Sequence, residues 1–460
     1  MRFLALGKAP VVILVATLAS ALYLSIHPVN ESPANLHMWT FAKSHYDAYI
    51  DGIPAFEAAH PGVKVDVQLV SGVAVTSRLR AAFWSDLDVP DLVEVEISSA
   101  GSFFRGPMRD IGFSDLTNWL DQSGWGDRLV RSRFAPYTSR GRIFGIPHDV
   151  HPVMLAYRRD IFEQEGIDLS KVETWDEFVE IGRRMTRDLD GDGVPDRYMI
   201  ELEDNGAGNM EMFLFQRDGG YFDKSGNLVM DSETALETLK WYVPLVAGPK
   251  KIANSLAGGQ IFTQALESGY FLSIIAPDWR SRTTEMDVPR VSGKMALMPL
   301  PAVRTGGRRT STWGGTMLGI TKHCKNPELA REYAVHIYCD AKNLAKRFPS
   351  INIIPPLKEA WALPEFNDPR PYWSGQPLGK LYADLAEQTP SQYTSPFIGL
   401  AKAKLGEAVV ACVLYYNRNG ERGFDEFARR TLKSCADDVR KMMKRDPFQQ
   451  SDAEHPGGRQ

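Results

Sequence analysis

Residues 63–97 read VKVDVQLVSGVAVTSRLRAAFWSDLDVPDLVEVEI. In the opening seven, Val63, Val65, Val67 and Leu69 alternate with polar or charged residues, the period of a strand that buries one face. A helix is predicted from about Val73 to Trp84, and DLVEVEI then reads as a second, strongly apolar strand. Strand, helix, strand in that order is the unit of an α/β fold with a largely parallel sheet.

The same alternation extends in both directions. Upstream, LHMW (Leu36 to Trp39) reads as a short strand, followed by a helix to Phe56 that Pro54 should kink. Downstream, RIFGIPHD stops at Pro147 and PVMLAYR is another strand. Thr174-Trp175-Asp176-Glu177 has the form of a capping box, with Phe178, Ile181 and Met185 on one helix face behind it. Asp231 is placed to cap a helix carrying Leu236, Leu239 and Tyr242. YFLSIIAP is an apolar strand, Asn326-Pro327 opens a helix, and two late helices are predicted near 403–416 and 424–443. From about Asp446 the chain is polar, with no apolar pattern to pack.

A length of 460 residues is enough for two or three domains, and 43% hydrophobic with 24% charged residues is ordinary globular composition. The net charge is −4 and no long basic run occurs, which argues against a nucleic-acid partner. At the N-terminus, Arg2 and Lys8 precede an uncharged run from Ala9 to Ile26. Positive charge before an apolar run is an export pattern, and as a helix this run rises about 27 Å, close to a hydrocarbon core of roughly 30 Å. Ala19-Ser20-Ala21 fits a cleavage site, whereas Leu22, Tyr23, Leu24 and Ile26 prolong the run beyond it and favour a retained anchor. Residues 1–32 are therefore an export signal or membrane anchor, and the chain from about Pro33 is extracytoplasmic. Cys324, Cys339, Cys412 and Cys435 are expected as free thiols; the first two bracket one predicted helix, too far apart to bridge.

Motifs of chemistry are missing. The chain has no H-E-x-x-H, G-x-S-x-G, Walker A or G-x-G-x-x-G sequence, and its nine histidines have no metal-ligand spacing. No catalytic residue, metal or cofactor is expected. Asp188 to Met199, DLDGDGVPDRYM, begins like a calcium loop, with Asp188, Asp190 and Asp192 at alternate positions. Position 12, where a bidentate glutamate belongs, is Met199. A structural Asp-Gly turn is the expectation, with calcium binding as the alternative.

Several segments, in order, resemble the family 1 extracellular solute-binding proteins, the sugar-capturing components of ABC importers. They are FEAAHPGVKVDVQ, VPDLVEVE, YRRDIFEQEGID, TWDEF, ESGYFLSIIAPDW, TWGGTMLGITKHCKNPELAREYAVHI and GFDEFARRTLKSCADDVRKMM. Together they span about Leu36 to Met443. Two departures stand out: Arg158 where the family usually has Asn, and Ala276-Pro277 where it has Gly. The resemblance implies a two-lobed periplasmic-binding-protein fold of type II, with discontinuous α/β lobes joined by a multi-segment hinge. Lobe 1 is expected to hold 33–146 and 277–320, lobe 2 to hold 147–276 and 321–445, and 446–460 to form a tail. The chain is expected to cross near 146–149, 276–279 and 319–322.

A sugar presents CH faces and hydroxyl rims, so its site needs aromatic platforms and polar partners. The resemblance and the strand-end positions nominate Trp39, Glu96, His148, Asp149, Asp278, Trp279, Trp313 and Gly314 as ligand-binding residues. The implied function is extracytoplasmic capture of a solute by cleft closure, with delivery to ABC permease subunits, by a monomer that touches the membrane through its N-terminal segment. The rival readings are a membrane-tethered sensing module of the same fold and an exported carbohydrate hydrolase.

Overall fold

In a computed structural model, residues 9–26, 34–85 and 87–446 are described. Two five-stranded mixed sheets organise the chain. The first has the order β2 (Val65–Leu69), β1 (Leu36–Thr40), β3 (Leu92–Glu96), β12 (Thr316–Ile320), β6 (Ile146–Pro147). The second has the order β11 (Met295–Pro299), β7 (Val153–Arg158), β10 (Ser273–Pro277), β8 (Ile200–Glu201), β9 (Ala253–Asn254). A small hairpin joins β4 (Thr138–Ser139) to β5 (Arg142–Ile143).

β1 pairs in parallel with β2 and β3, as helical crossovers require, but β12 runs antiparallel to β3. In the second sheet β7 is antiparallel to both its neighbours, while β8, β9 and β10 run in parallel. The expectation of a largely parallel sheet thus holds except at one strand of each sheet, β12 in the first and β7 in the second. The capping box forms as the sequence predicts, with the Thr174 hydroxyl accepting from Glu177 N and the Glu177 carboxylate accepting from Thr174 N. Elsewhere local readings shift. The first helix does not kink at Pro54; it ends at Ile50, and Pro54 lies in the first turn of a separate helix, Ile53–Ala59, where its missing N–H costs nothing. The cap of the helix Glu233–Val246 is Ser232, not Asp231, whose carboxylate instead pairs with Arg440.

The chain leaves the first sheet after β6 and enters the second at β7. It returns along 310–315 into β12. These two connecting segments run side by side, with a bridge between Pro152 and Thr312. A third, 352–357, lies beside the first: Val150 N donates to Ile354 O at 2.9 Å. The expected crossings at 276–279 and 319–322 are corrected by the strand pairings. β10 runs on into the helix Asp278–Asp287, β11 rejoins the same sheet through β7, and Gly319 lies inside β12. Residues 295–299 therefore belong to the second sheet rather than with lobe 1. The helix Pro327–Tyr338, expected with lobe 2, packs on the first sheet's core, with the Tyr333 ring 5.0 Å from Phe56. Pro277 ends a strand without ending the lobe, because pairing with β7, not the local break, decides where the chain goes next.

Residues 1–8, 27–33 and 447–460 lie outside the described residues, and with them much of the expected signal or anchor and nearly all of the tail. Within Ala9–Ile26, a helix, Val11, Val12, Ile13 and Leu14 are each at least 60% exposed. Among the described residues no helix is long and apolar enough to cross a membrane. All four cysteines are free thiols, Cys339 and Cys412 buried.

Candidate functional site

The carboxyl ends of β1, β3 and β10 converge on a cavity of about 860 Å³ beside the connecting segments. The strand ends deliver Phe41 and Lys43 after β1, Glu96 at the end of β3, and Trp279 after β10, while His151, Gly314 and Gly315 form the wall. Strand ends at the meeting of two α/β units are where such folds place ligands.

Trp279 is half-buried and held in place: its indole Nε1 donates to the Trp313 carbonyl at 2.9 Å, and the two rings meet edge to face with centroids 5.9 Å apart. Gly314 makes room for it. At a φ of 92° the backbone is left-handed, and a Cβ there would sit 3.2 Å from Trp279 Nε1 and 3.3 Å from the His151 ring. Glu96 caps the helix Ile97–Ala100, accepting from Ser98 N at 2.8 Å. Burial raises its pKa, against the Ser98 hydrogen bonds and the positive charge of Lys402. Lys402, from the helix Ile398–Asn419, is ion-paired to Glu211 at 3.0 Å.

Behind the cavity wall lies a buried charge network. Asp149, fully buried, takes the Arg133 guanidinium at 3.2 Å, His148 Nδ1 at 3.2 Å and His151 Nε2 at 3.2 Å. Its carboxyl is held far below the usual range: burial opposes this, and the positive charge of His151 with the histidine and arginine contacts outweighs burial. Asp278 is also fully buried. One oxygen accepts from His151 Nδ1 at 2.6 Å and from Trp279 N, and the other accepts from Ile354 N at 2.7 Å. On the far side, the His148 ring lies tilted against His45 with centroids 4.1 Å apart, and His45 meets Glu94 at 3.0 Å. The network touches all three connecting segments.

Of the eight nominated residues, the structure brings Glu96, Trp279 and Gly314 to the cavity surface. Trp313 stands behind Trp279. His148, Asp149 and Asp278 are buried within the network rather than facing the cavity. Trp39 lies apart, covered by the Arg78 guanidinium at 5.8 Å. Sequence reading did not nominate His45, Glu94, Arg133 or His151. For His151 a signal existed only in its i, i+3 spacing from His148; its φ of 51°, rare for a non-glycine residue, emerges from the fold.

The Asp188 loop closes on itself. Asp188 accepts from Gly191 N at 2.7 Å and Gly193 N at 2.8 Å, and Asp196 accepts from Leu189 N at 2.7 Å. Asp188, Asp190 and Asp196 are exposed, with carboxylate oxygens within 4.8 Å of one another, and Met199 at the twelfth position is buried in the core.

The two lobes touch at Gly101. A Cβ on Gly101 would lie 2.2 Å from Thr394 Oγ1 and 2.5 Å from the Ser395 carbonyl. Gly101→Val is therefore expected to wedge the lobes apart, seen as a larger radius of gyration by small-angle X-ray scattering and as solute affinity weakened at least tenfold.

The family model described as bacterial extracellular solute-binding protein matches residues 42–338. The arabinooligosaccharide-binding protein of Halalkalibacterium halodurans is 26% identical over 376 residues, covering 79% of this chain and 82% of that protein. The arabinooligosaccharide-binding protein of Bacillus subtilis is 24% identical over 342 residues, 73% and 76% of the two chains. Among solved structures, the sugar-binding protein MalE of Xanthomonas citri superposes with a TM-score of 0.71 at 18% identity, over 89% of this chain and 99% of that one.

Proposed function

The chain belongs to the bacterial extracellular solute-binding protein family, and from that premise we propose that it captures a sugar or oligosaccharide outside the cytoplasm and delivers it to an ABC permease. The observation that carries this reading is the cavity at the strand ends with Trp279 set on its surface between Gly314 and the second sheet. An indole fixed by its own N–H, with its edge against Trp313, offers a rigid apolar face to a pyranose or furanose ring. Glu96 and Lys43 supply hydrogen-bond partners for hydroxyl groups. The two relatives described above are named for arabinooligosaccharides, which makes short arabinose oligomers the starting point of a ligand screen. Capture proceeds by lobe closure about the three connecting segments, with no covalent step. The protein works as a monomer outside the cytoplasm, at the outer face of the membrane or in the periplasm according to whether its N-terminal segment is retained or removed.

Calorimetry and tryptophan fluorescence against arabinose oligomers, other oligosaccharides, amino acids and polyamines test the reading. Saturable binding to an oligosaccharide is expected, without turnover. Trp279→Ala should weaken it by about 30-fold or more, the loss typical of a central aromatic contact worth about 2 kcal/mol. Saturation by none of these solutes, or by amino acids alone, would sink the sugar assignment. A tethered sensing module is the second reading, favoured by the exposed apolar side chains of Val11, Val12, Ile13, Leu14, Val15 and Leu18. Intact mass of the mature protein separates a retained from a removed segment.

A further inference from the structure

We propose that His45, Glu94 and His148 form a binding site for a divalent cation of the zinc class that ties the first connecting segment to the first lobe. The three residues come from the helix Lys43–Ile50, from β3 and from the segment leaving β6, and each offers a ligand atom within 4.8 Å of the others. All three are buried. Two imidazoles and one carboxylate are a donor set suited to zinc.

The surroundings orient the donors as outer groups do around a metal. His148 Nδ1 faces the Asp149 carboxylate at 3.2 Å, which fixes the proton on that nitrogen and leaves Nε2 as the ligand atom. Glu94 Oε1 accepts from Tyr49 and from Tyr338, both at 2.5 Å, and Oε2 accepts from Thr40 at 2.5 Å. Three neutral hydroxyls thus position the carboxylate and leave one direction of Oε2 turned to His45. In tetrahedral zinc coordination with bonds of about 2.0–2.1 Å, two ligand atoms stand roughly 3.3 Å apart; His45 Nδ1 and Glu94 Oε2 are 3.0 Å apart. The His45 and His148 rings lie 4.1 Å apart, an arrangement that two protonated rings would oppose, so that at least one ring is neutral and free to ligate. His45 also lines the cavity, which gives an ion a route in and leaves a direction for a water ligand. The competing occupant is a single proton between His45 and Glu94.

The test uses the full chain, stripped with EDTA, incubated with zinc sulfate and gel-filtered. One zinc per chain is expected by elemental mass spectrometry, no retained magnesium, and visible absorption bands of a low-coordinate site when cobalt(II) replaces zinc. Zinc at about 100-fold over its Kd should raise the melting temperature by on the order of 5 °C. His45→Phe and His148→Phe should each retain less than a tenth of the zinc, and Asp190→Ala, which alters the exposed carboxylate loop, all of it. Wild-type protein that retains no zinc above background overturns the proposal whatever the variants do. So does full retention in both histidine variants, or loss in Asp190→Ala.

Discussion

Arg133→Met is expected to lower the free energy of unfolding by about 3–5 kcal/mol, the usual cost of removing one partner from a buried ion pair. Arg133 has no exposed surface. Its Nε donates to the Asp149 carbonyl at 3.0 Å, Nη1 to the Thr312 hydroxyl at 2.8 Å, and Nη2 to the Asp149 carboxylate at 3.2 Å and the Gly314 carbonyl at 3.1 Å. One guanidinium thus joins the segment that leaves the first sheet to the one that returns to it. Methionine fills similar volume but leaves two carbonyls and part of a carboxylate without donors in a dry interior. Arg133→Lys keeps the charge and loses the fork, so it should fall between the two. Urea unfolding measures both. Arg133→Met combined with Asp149→Leu should recover part of the loss, since no charge is then stranded. A change below about 1 kcal/mol in Arg133→Met would mean that the guanidinium does not hold the connecting segments together.

That network was also where sequence reading stopped short. Features written in a few consecutive residues were legible: the strand at 65–69, where Val65 and Val67 are buried although Leu69 is exposed and Val63 lies outside it, the capping box at Thr174 and Glu177, and the Asn326-Pro327 start with its side-chain cap on Leu329 N. Trp279, Gly314 and Glu96 reached the cavity because they stand at ends of elements, which local pattern marks. Glu94 was hidden inside DLVEVEI, where alternation makes an acid at that position read as a solvated face. Both faces of β3 are covered, so the carboxylate is fully buried and its partners come from positions 40, 45, 49, 148 and 338. No spacing rule links such positions. The crossing misplaced at 276–279 has the same origin: Pro277 marks the end of a strand, but the return of 295–299 to the same sheet depends on pairing with residues more than a hundred positions earlier.

Between pH 6.5 and 9 the metal-free protein is expected to lose about 3 kcal/mol of stability through one side chain, His151. Burial alone would lower its pKa, but the carboxylates of Asp149 and Asp278, each hydrogen-bonded to one ring nitrogen, raise it to about 9. In the unfolded chain a histidine titrates near 6.5. Because the folded pKa is the higher one, the folded state binds the proton more tightly, and the contribution is complete below about pH 6.5. It declines as pH rises and is gone above about pH 9. Two and a half pKa units correspond to roughly 3 kcal/mol. The charged groups that face His151 are the carboxylates of Asp149 and Asp278, and both favour its proton. Urea unfolding at intervals across this range, with EDTA present, reads the slope. His151→Gln should flatten it while lowering stability at pH 6.5, since glutamine can donate to one carboxylate but carries no charge to balance the two. A slope unchanged in His151→Gln would assign the alkaline loss to another group and leave His151 neutral in the folded protein.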